Sequence, residues 1–85
     1  MTRAQEIRHE VLLQLYGSQS IAISPAHMRK VAKRGGFEYS DTEVRDALFF
    51  VCGQGFAEKV QDEATGEQRY RITSRGTLQF ENAEG

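Results

Sequence analysis

The chain has a single cysteine, Cys52, so no disulfide can close within its 85 residues and a reducing compartment suits it. Long apolar runs are missing. The longest, residues 47–52, falls far short of the ~20 residues that a membrane-spanning helix needs. The opening Met1-Thr2-Arg3-Ala4-Gln5-Glu6 has no apolar stretch of the signal-peptide kind. A cytoplasmic location with no membrane partner is therefore expected. Excess charge of either sign is also missing. Eleven Lys and Arg face twelve Asp and Glu, and the net charge of −1 exerts no overall pull toward nucleic acid or membrane.

Catalytic and metal-ligating patterns are equally scarce. His9 and His27 fall on different expected helices, and neither has neighbours at metal-ligand spacing. His9-Glu10 lacks the second histidine of a zinc-peptidase helix. Cys52 has no nucleophile signature and reads as a structural thiol. Gly53-Gln54-Gly55 ends a helix, whereas a phosphate-binding glycine loop opens one. No enzyme, no metal and no cofactor is expected.

What is present is a compact plan centred on residues 40–56. Ser40 and Glu43 have capping-box spacing, and Tyr39 and Val44 are placed for a hydrophobic staple across the cap. Val44, Ala47, Leu48 and Val51 recur at helical spacing and mark the face to be buried. Gly53 and Gly55 end the helix, and Phe56 opens an extended segment. Upstream, Thr2 with Gln5 caps a first helix running to about Tyr16, with Ala4, Ile7, Val11, Leu12 and Leu15 on one side. Ile21-Ala22-Ile23 reads as a brief strand. Ser24 then caps a second helix that begins at Pro25, the chain's one proline, and runs to about Arg34. Gly35-Gly36 breaks it, and Phe37 and Tyr39 are expected to anchor the turn into the core. Helix, short glycine-bearing turn, helix is the helix-turn-helix pattern.

Downstream, residues 56–61 and 68–73 are two extended segments around the polar, glycine-bearing stretch 62–67, which is a hairpin pattern. Tyr70 and Ile72 alternate with Arg69 and Arg71, so one hairpin face is expected to be apolar and the other basic. Ser74 is read as the cap of a short last helix, weakened by Gly76 and carrying Leu78 and Phe80 as its apolar residues. Residues 1–80 form one domain, and 81–85 are expected to be a frayed tail. The fold class is α+β: three main helices, a short strand, a two-stranded C-terminal hairpin and a short last helix.

Two stretches carry a resemblance. Ala47-Leu48-Phe49-Phe50-Val51-Cys52-Gly53-Gln54-Gly55-Phe56-Ala57-Glu58 resembles the end of a winged-helix recognition helix passing into its first wing strand. Tyr70-Arg71-Ile72-Thr73-Ser74-Arg75-Gly76 is similar to the Tyr-x-Leu-Thr-x-x-Gly ending of many MarR- and PadR-type bacterial regulators. With the helix order, the resemblance to the winged helix-turn-helix superfamily covers nearly the whole chain. It implies a small DNA-binding transcriptional regulator, with the helix over 40–52 in a major groove of double-stranded DNA and the hairpin near the backbone.

Charge blocks indicate which residues would serve that role. Residues 26–36 carry Arg29, Lys30, Lys33 and Arg34 with no acid, and Arg69 and Arg71 stand on the hairpin. These are the phosphate-contact set. Ser40, Thr42 and Arg45 are the candidates on the reading helix. Asp41, Glu43 and Asp46 share that helix and repel phosphate, although a carboxylate can accept from cytosine N4 and also favours a helix N-terminus. A second reading is therefore kept open: a winged-helix module that binds a protein and not DNA, through Asp41, Glu43, Asp46 and exposed apolar residues. Leu13 points away from the first helix's apolar stripe, as an isolated exposed leucine or as a homodimer contact. Phe49 lies on the outward side of its helix, either packed against the last helix near Phe80 or offered to a partner. Phe50 is expected to tuck under the wing.

Overall fold

The computed structural model describes residues 2–19 and 21–84, leaving Met1, Ser20 and Gly85 outside the described residues. Helix α1 (Arg3–Ser18) opens with the expected capping box: Gln5 N–H donates to Thr2 Oγ1 at 3.2 Å, and Thr2 N–H donates to Gln5 Oε1 at 2.9 Å. Helix α2 (Pro25–Arg34) is capped by Ser24, whose Oγ accepts from His27 N–H at 3.2 Å. Helix α3 (Asp41–Gly53) has the second capping box, with 3.1 Å from Glu43 N–H to Ser40 Oγ and 3.0 Å from Ser40 N–H to Glu43 Oε1. Each cap satisfies donors that a helix start leaves orphaned, and losing one costs about 1 kcal/mol.

Strands β1 (Ala57–Gln61) and β2 (Gln68–Ile72) pair antiparallel, with Ala57 opposite Ile72 and Gln61 opposite Gln68. Their loop is built by Asp62. Its Oδ1 accepts from Ala64 N–H at 2.9 Å, its carbonyl accepts from Gly66 N–H at 2.7 Å, and Gly66 takes φ 74°. The expected strand at Ile21-Ala22-Ile23 narrows to one antiparallel bridge, Ile23 with Tyr70, held by two 2.8 Å hydrogen bonds. Ile21 is 69% exposed, and Pro25 with the α2 cap begins immediately downstream, so only Ile23 reaches the sheet edge.

The core forms where α1 and α3 pack together over the sheet. Ile7, Val11, Leu15, Met28, Val44, Leu48, Val51 and Tyr70 are buried in it, and Tyr39 packs at its margin. Ile7, Val11 and Leu15 of α1 and Val44, Leu48 and Val51 of α3 are the residues at helical spacing, while Met28 comes from α2 and Tyr70 from β2. Truncating Leu15 or Leu48, each under 2% exposed, to Ala would cost about 2–5 kcal/mol. Phe37 departs from expectation: it is 52% exposed and stacks on Tyr39 with ring centroids 6.0 Å apart. Gly35 and Gly36 carry the turn outward before the chain returns at Tyr39, which leaves Phe37 outside.

The joint between wing and body is made by Thr73, which is the cap of helix α4 (Ser74–Glu84) in place of the expected Ser74. Thr73 Oγ1 accepts from Gly76 N–H at 3.1 Å and donates to the Gly55 carbonyl at 2.6 Å, while Thr73 N–H donates to Phe56 O at 3.0 Å. One threonine thus ties the end of α3, the start of the wing and the first turn of α4. Gly76 is no weak point in that helix. A Cβ there would collide with the Phe56 carbonyl oxygen and lie 2.8 Å from Ile72 Cγ1. The close approach of α4 to the wing root requires glycine.

Helix α4 continues through 81–84, where a tail was expected, and lies along α1. Phe80 is buried and stacks on Tyr16 at 4.4 Å, and the Tyr16 hydroxyl donates to Glu81 Oε2 at 3.0 Å. That hydrogen bond to the carboxylate raises the Tyr16 pKa above its ordinary value. Helix-turn-helix, two-stranded wing and flanking helix together make this a winged helix-turn-helix of the α+β class.

Candidate nucleic-acid interface

Three surfaces could meet a nucleic acid: the outer face of α2, the outer face of α3 and the wing. Their local chemistry differs. Segment 26–36 holds no acid, so α2 has no internal ion-pair partner to offer. Among the described residues, Lys30, Lys33 and Arg34 have no acidic partner. Arg29 Nε donates to the Tyr39 carbonyl at 3.0 Å, which pins the guanidinium against the turn. Arg29, Lys30 and Lys33 line an open groove of about 630 Å³ with Phe37, Tyr39 and Ser40.

Two acids also line that groove, Glu38 and Glu43. Glu43 is already engaged. It closes the α3 capping box and takes two hydrogen bonds from the Arg3 guanidinium, whose Nη2 also reaches the Glu38 carbonyl at 2.9 Å. The Arg3 hydrogen bond first, and the Ser40 backbone N–H second, hold the Glu43 carboxyl at about 2, well below the ordinary 4.5. The same pairing raises the Arg3 pKa. Glu43 is therefore a structural carboxylate, and Ser40 is its capping partner.

On α3, Thr42, Arg45, Asp46 and Phe49 stand on the exposed side, opposite buried Val44, Ala47, Leu48 and Val51. Arg45 Nε pairs with Asp41 Oδ2 at 2.6 Å, one turn earlier, in the orientation that suits the helix dipole. Asp46 has no ion pair among the described residues. Phe49 is 84% exposed, so it does not pack on the last helix; Phe80 is taken by Tyr16 and by His9, whose ring lies 6.0 Å away. Phe50 turns toward α1 and not under the wing, with the Arg8 guanidinium 3.8 Å above its ring. Arg8 was not among the sequence candidates. Its only signal was an arginine on the first helix, which says nothing about the ring it covers.

On the wing, both arginines of the basic face are ion-paired. The strand register sets Arg71 opposite Glu58, and the two pair across the strands. Arg69 Nε pairs with Glu67 at 2.9 Å and its Nη2 lies 3.7 Å from Asp62. The predicted site residues thus divide. The groove gathers Arg29, Lys30, Lys33 and Ser40, with Arg34 at the end of the same helix. Arg69 and Arg71 sit apart on the wing with their charges matched. Leu13 is 43% exposed on α1 and belongs to none of these surfaces.

Burial pushes the half-buried Cys52 thiol up, away from a nucleophile's range. Among the described residues, no group of three or more His, Cys, Asp or Glu could hold a metal ion, and no helix is long and apolar enough to cross a membrane.

No protein-family model matches the chain, and no curated protein matches it. Among solved structures it is similar to the crystal structure of SSV1 F-93, with a TM-score of 0.67 and 25% sequence identity. The match covers 92% of this chain and 84% of that one, so the overall arrangement is shared over most of both chains.

Proposed function

We propose that this chain is a small double-stranded-DNA-binding protein that acts as a transcriptional regulator and catalyses no reaction. The observation that carries the reading is the cation set of α2: among the described residues Lys30, Lys33 and Arg34 have no acidic ion-pair partner, and Lys30 and Lys33 line a groove with Ser40 and Glu43 at the start of α3. Phosphates are the natural counter-charge for such a set, and phosphate contacts orient a reading helix without carrying sequence information. Thr42, Arg45 and Asp46 would then face base edges, where Arg45 can donate to guanine and Asp46 can accept from cytosine N4. The pairing of Arg45 with Asp41 is exposed and worth only about 0–1 kcal/mol, so the arginine can exchange partners. The test is selection from random duplexes at moderate salt. Affinity should fall with salt at a log–log slope of roughly −3 to −4, for about four phosphate contacts. No enriched duplex would overturn the reading.

A second reading, a protein-binding module, is favoured by the exposed ring of Phe49. Phe49→Ala should then abolish capture of the partner while Lys30→Ala and Lys33→Ala change little. Pairing of two copies through Leu13 would suit a two-fold DNA site. Leu13→Glu should then yield a monomer with its fold intact, and a wild-type monomer at high micromolar concentration by sedimentation would exclude that contact.

A further inference from the structure

Among the described residues, Phe49 is the most exposed large apolar side chain in the chain. It follows Thr42, Arg45 and Asp46 at the i, i+3, i+4, i+7 spacing, on the side of α3 opposite the core. A helix in a major groove presents side chains to base edges at this spacing. The helical rise sets Phe49 about 10 Å along the axis from Thr42, roughly three base steps.

The surroundings of the ring narrow what it can meet. It shares its shallow depression with Arg8, Asp46, Phe50, Gly53 and Gln54. The Arg8 guanidinium lies over the Phe50 ring, which stays 40% exposed, so the apolar surface here is Phe49 with part of one neighbouring ring, set among polar and charged groups. A stable protein interface needs a desolvated apolar centre within roughly 800 Å² per partner, and no such patch surrounds this ring. What fits is a small apolar group set in an otherwise polar surface. In the major groove that group is the C5 methyl of thymine, the one alkyl group displayed on the base edges. The phenylalanine side chain has no hydrogen-bond donor or acceptor to offer.

We infer that Phe49 packs against a thymine methyl and sets a thymine preference at one position of the bound duplex, about three base steps from the position facing Thr42. The inference rests on the DNA-binding reading above and adds the group that is read. It also accounts for an aromatic residue where a polar one would otherwise face the bases.

The experiment uses the full chain and the duplex it selects. Each thymine is replaced in turn by uracil, which removes the methyl and leaves every hydrogen-bonding group in place. At one thymine the wild-type protein should bind about fourfold more weakly, the effect of one buried methyl group. Phe49→Ala should bind thymine and uracil duplexes equally, and Phe49→Leu should keep part of the difference. Thr42→Ser, which removes the other methyl on this face, should leave the response to uracil unchanged. The ring is 84% exposed, so Phe49→Ala should leave the circular dichroism spectrum and melting temperature as they are. Neutral uracil replacement at every thymine of a duplex that is still bound would overturn the inference and leave the DNA-binding reading standing. Failure to select any duplex, with a protein partner lost on Phe49→Ala, would overturn both.

Discussion

The α2 face and the wing look alike in sequence, each a short segment with closely spaced basic residues, yet the fold treats them differently. On α2, Lys30, Lys33 and Arg34 keep their charge unmatched among the described residues. On the wing, Arg71 is paired to Glu58, and Arg69 to Glu67 and Asp62. The cause is geometric. A strand pair brings residues from two segments into opposition, and β1 and the loop supply the acids; a helix within an acid-free segment has only its own neighbours. Exposed pairs of this kind add about 0–1 kcal/mol to stability. The contrast therefore concerns the field a ligand meets. A count of basic residues overstates the wing and gives α2 its proper weight.

Releasing the wing from the body is the largest way to break this contrast. Gly76→Ala should destabilise the domain by roughly 2–3 kcal/mol, because the added methyl overpacks the joint between α4 and Phe56. Denaturant unfolding measures the loss. Retention of wild-type stability would mean that the joint yields freely.

Next in size is the loss of the α2 field. Reversing Lys30 and Lys33 to Glu should weaken binding to every duplex by roughly one to two orders of magnitude, without changing which sequence is preferred. Titration of selected and scrambled duplexes in parallel checks both statements. An altered preference would show that these lysines meet bases.

The contrast can also be erased from the other side. Glu58→Gln and Glu67→Gln should leave Arg71 and Arg69 with less of their present counter-charge. Duplex affinity should rise a few-fold, and the log–log salt slope should steepen by about one unit for each arginine that reaches a phosphate. An unchanged slope would mean that the wing does not approach the backbone.

The smallest effect concerns Glu43, the acid in the groove that Arg3 holds. Its carboxyl titrates at about 2 in the folded chain, against an ordinary 4.5. A depressed folded value means that the ionised carboxylate favours the fold above pH 4.5 and loses that contribution as pH falls toward 2. Melting temperature should therefore drop across this window by more in the wild type than in Glu43→Gln. Equal slopes would show that the Arg3 pair carries no linkage.

The parts of this protein that its sequence alone determined are those made by near neighbours. The caps at Thr2, Ser24 and Ser40 act over three residues, the buried stripes of α1 and α3 follow from helical periodicity, and the polar stretch at 62–67 turns within itself. Such interactions form wherever the segment is placed, so they are readable before the fold is known. Docking decided the rest. Arg3 reaches Glu43 across 40 positions, and Tyr16 meets Phe80 and Glu81 across some 64. Gly76 is required because α4 settles on a carbonyl twenty residues upstream, and Phe49 is left bare because Phe80 is claimed by α1. These outcomes depend on how rigid elements pack against one another, and the energy that selects the packing is spread over the common core rather than carried by the residues whose fate it settles.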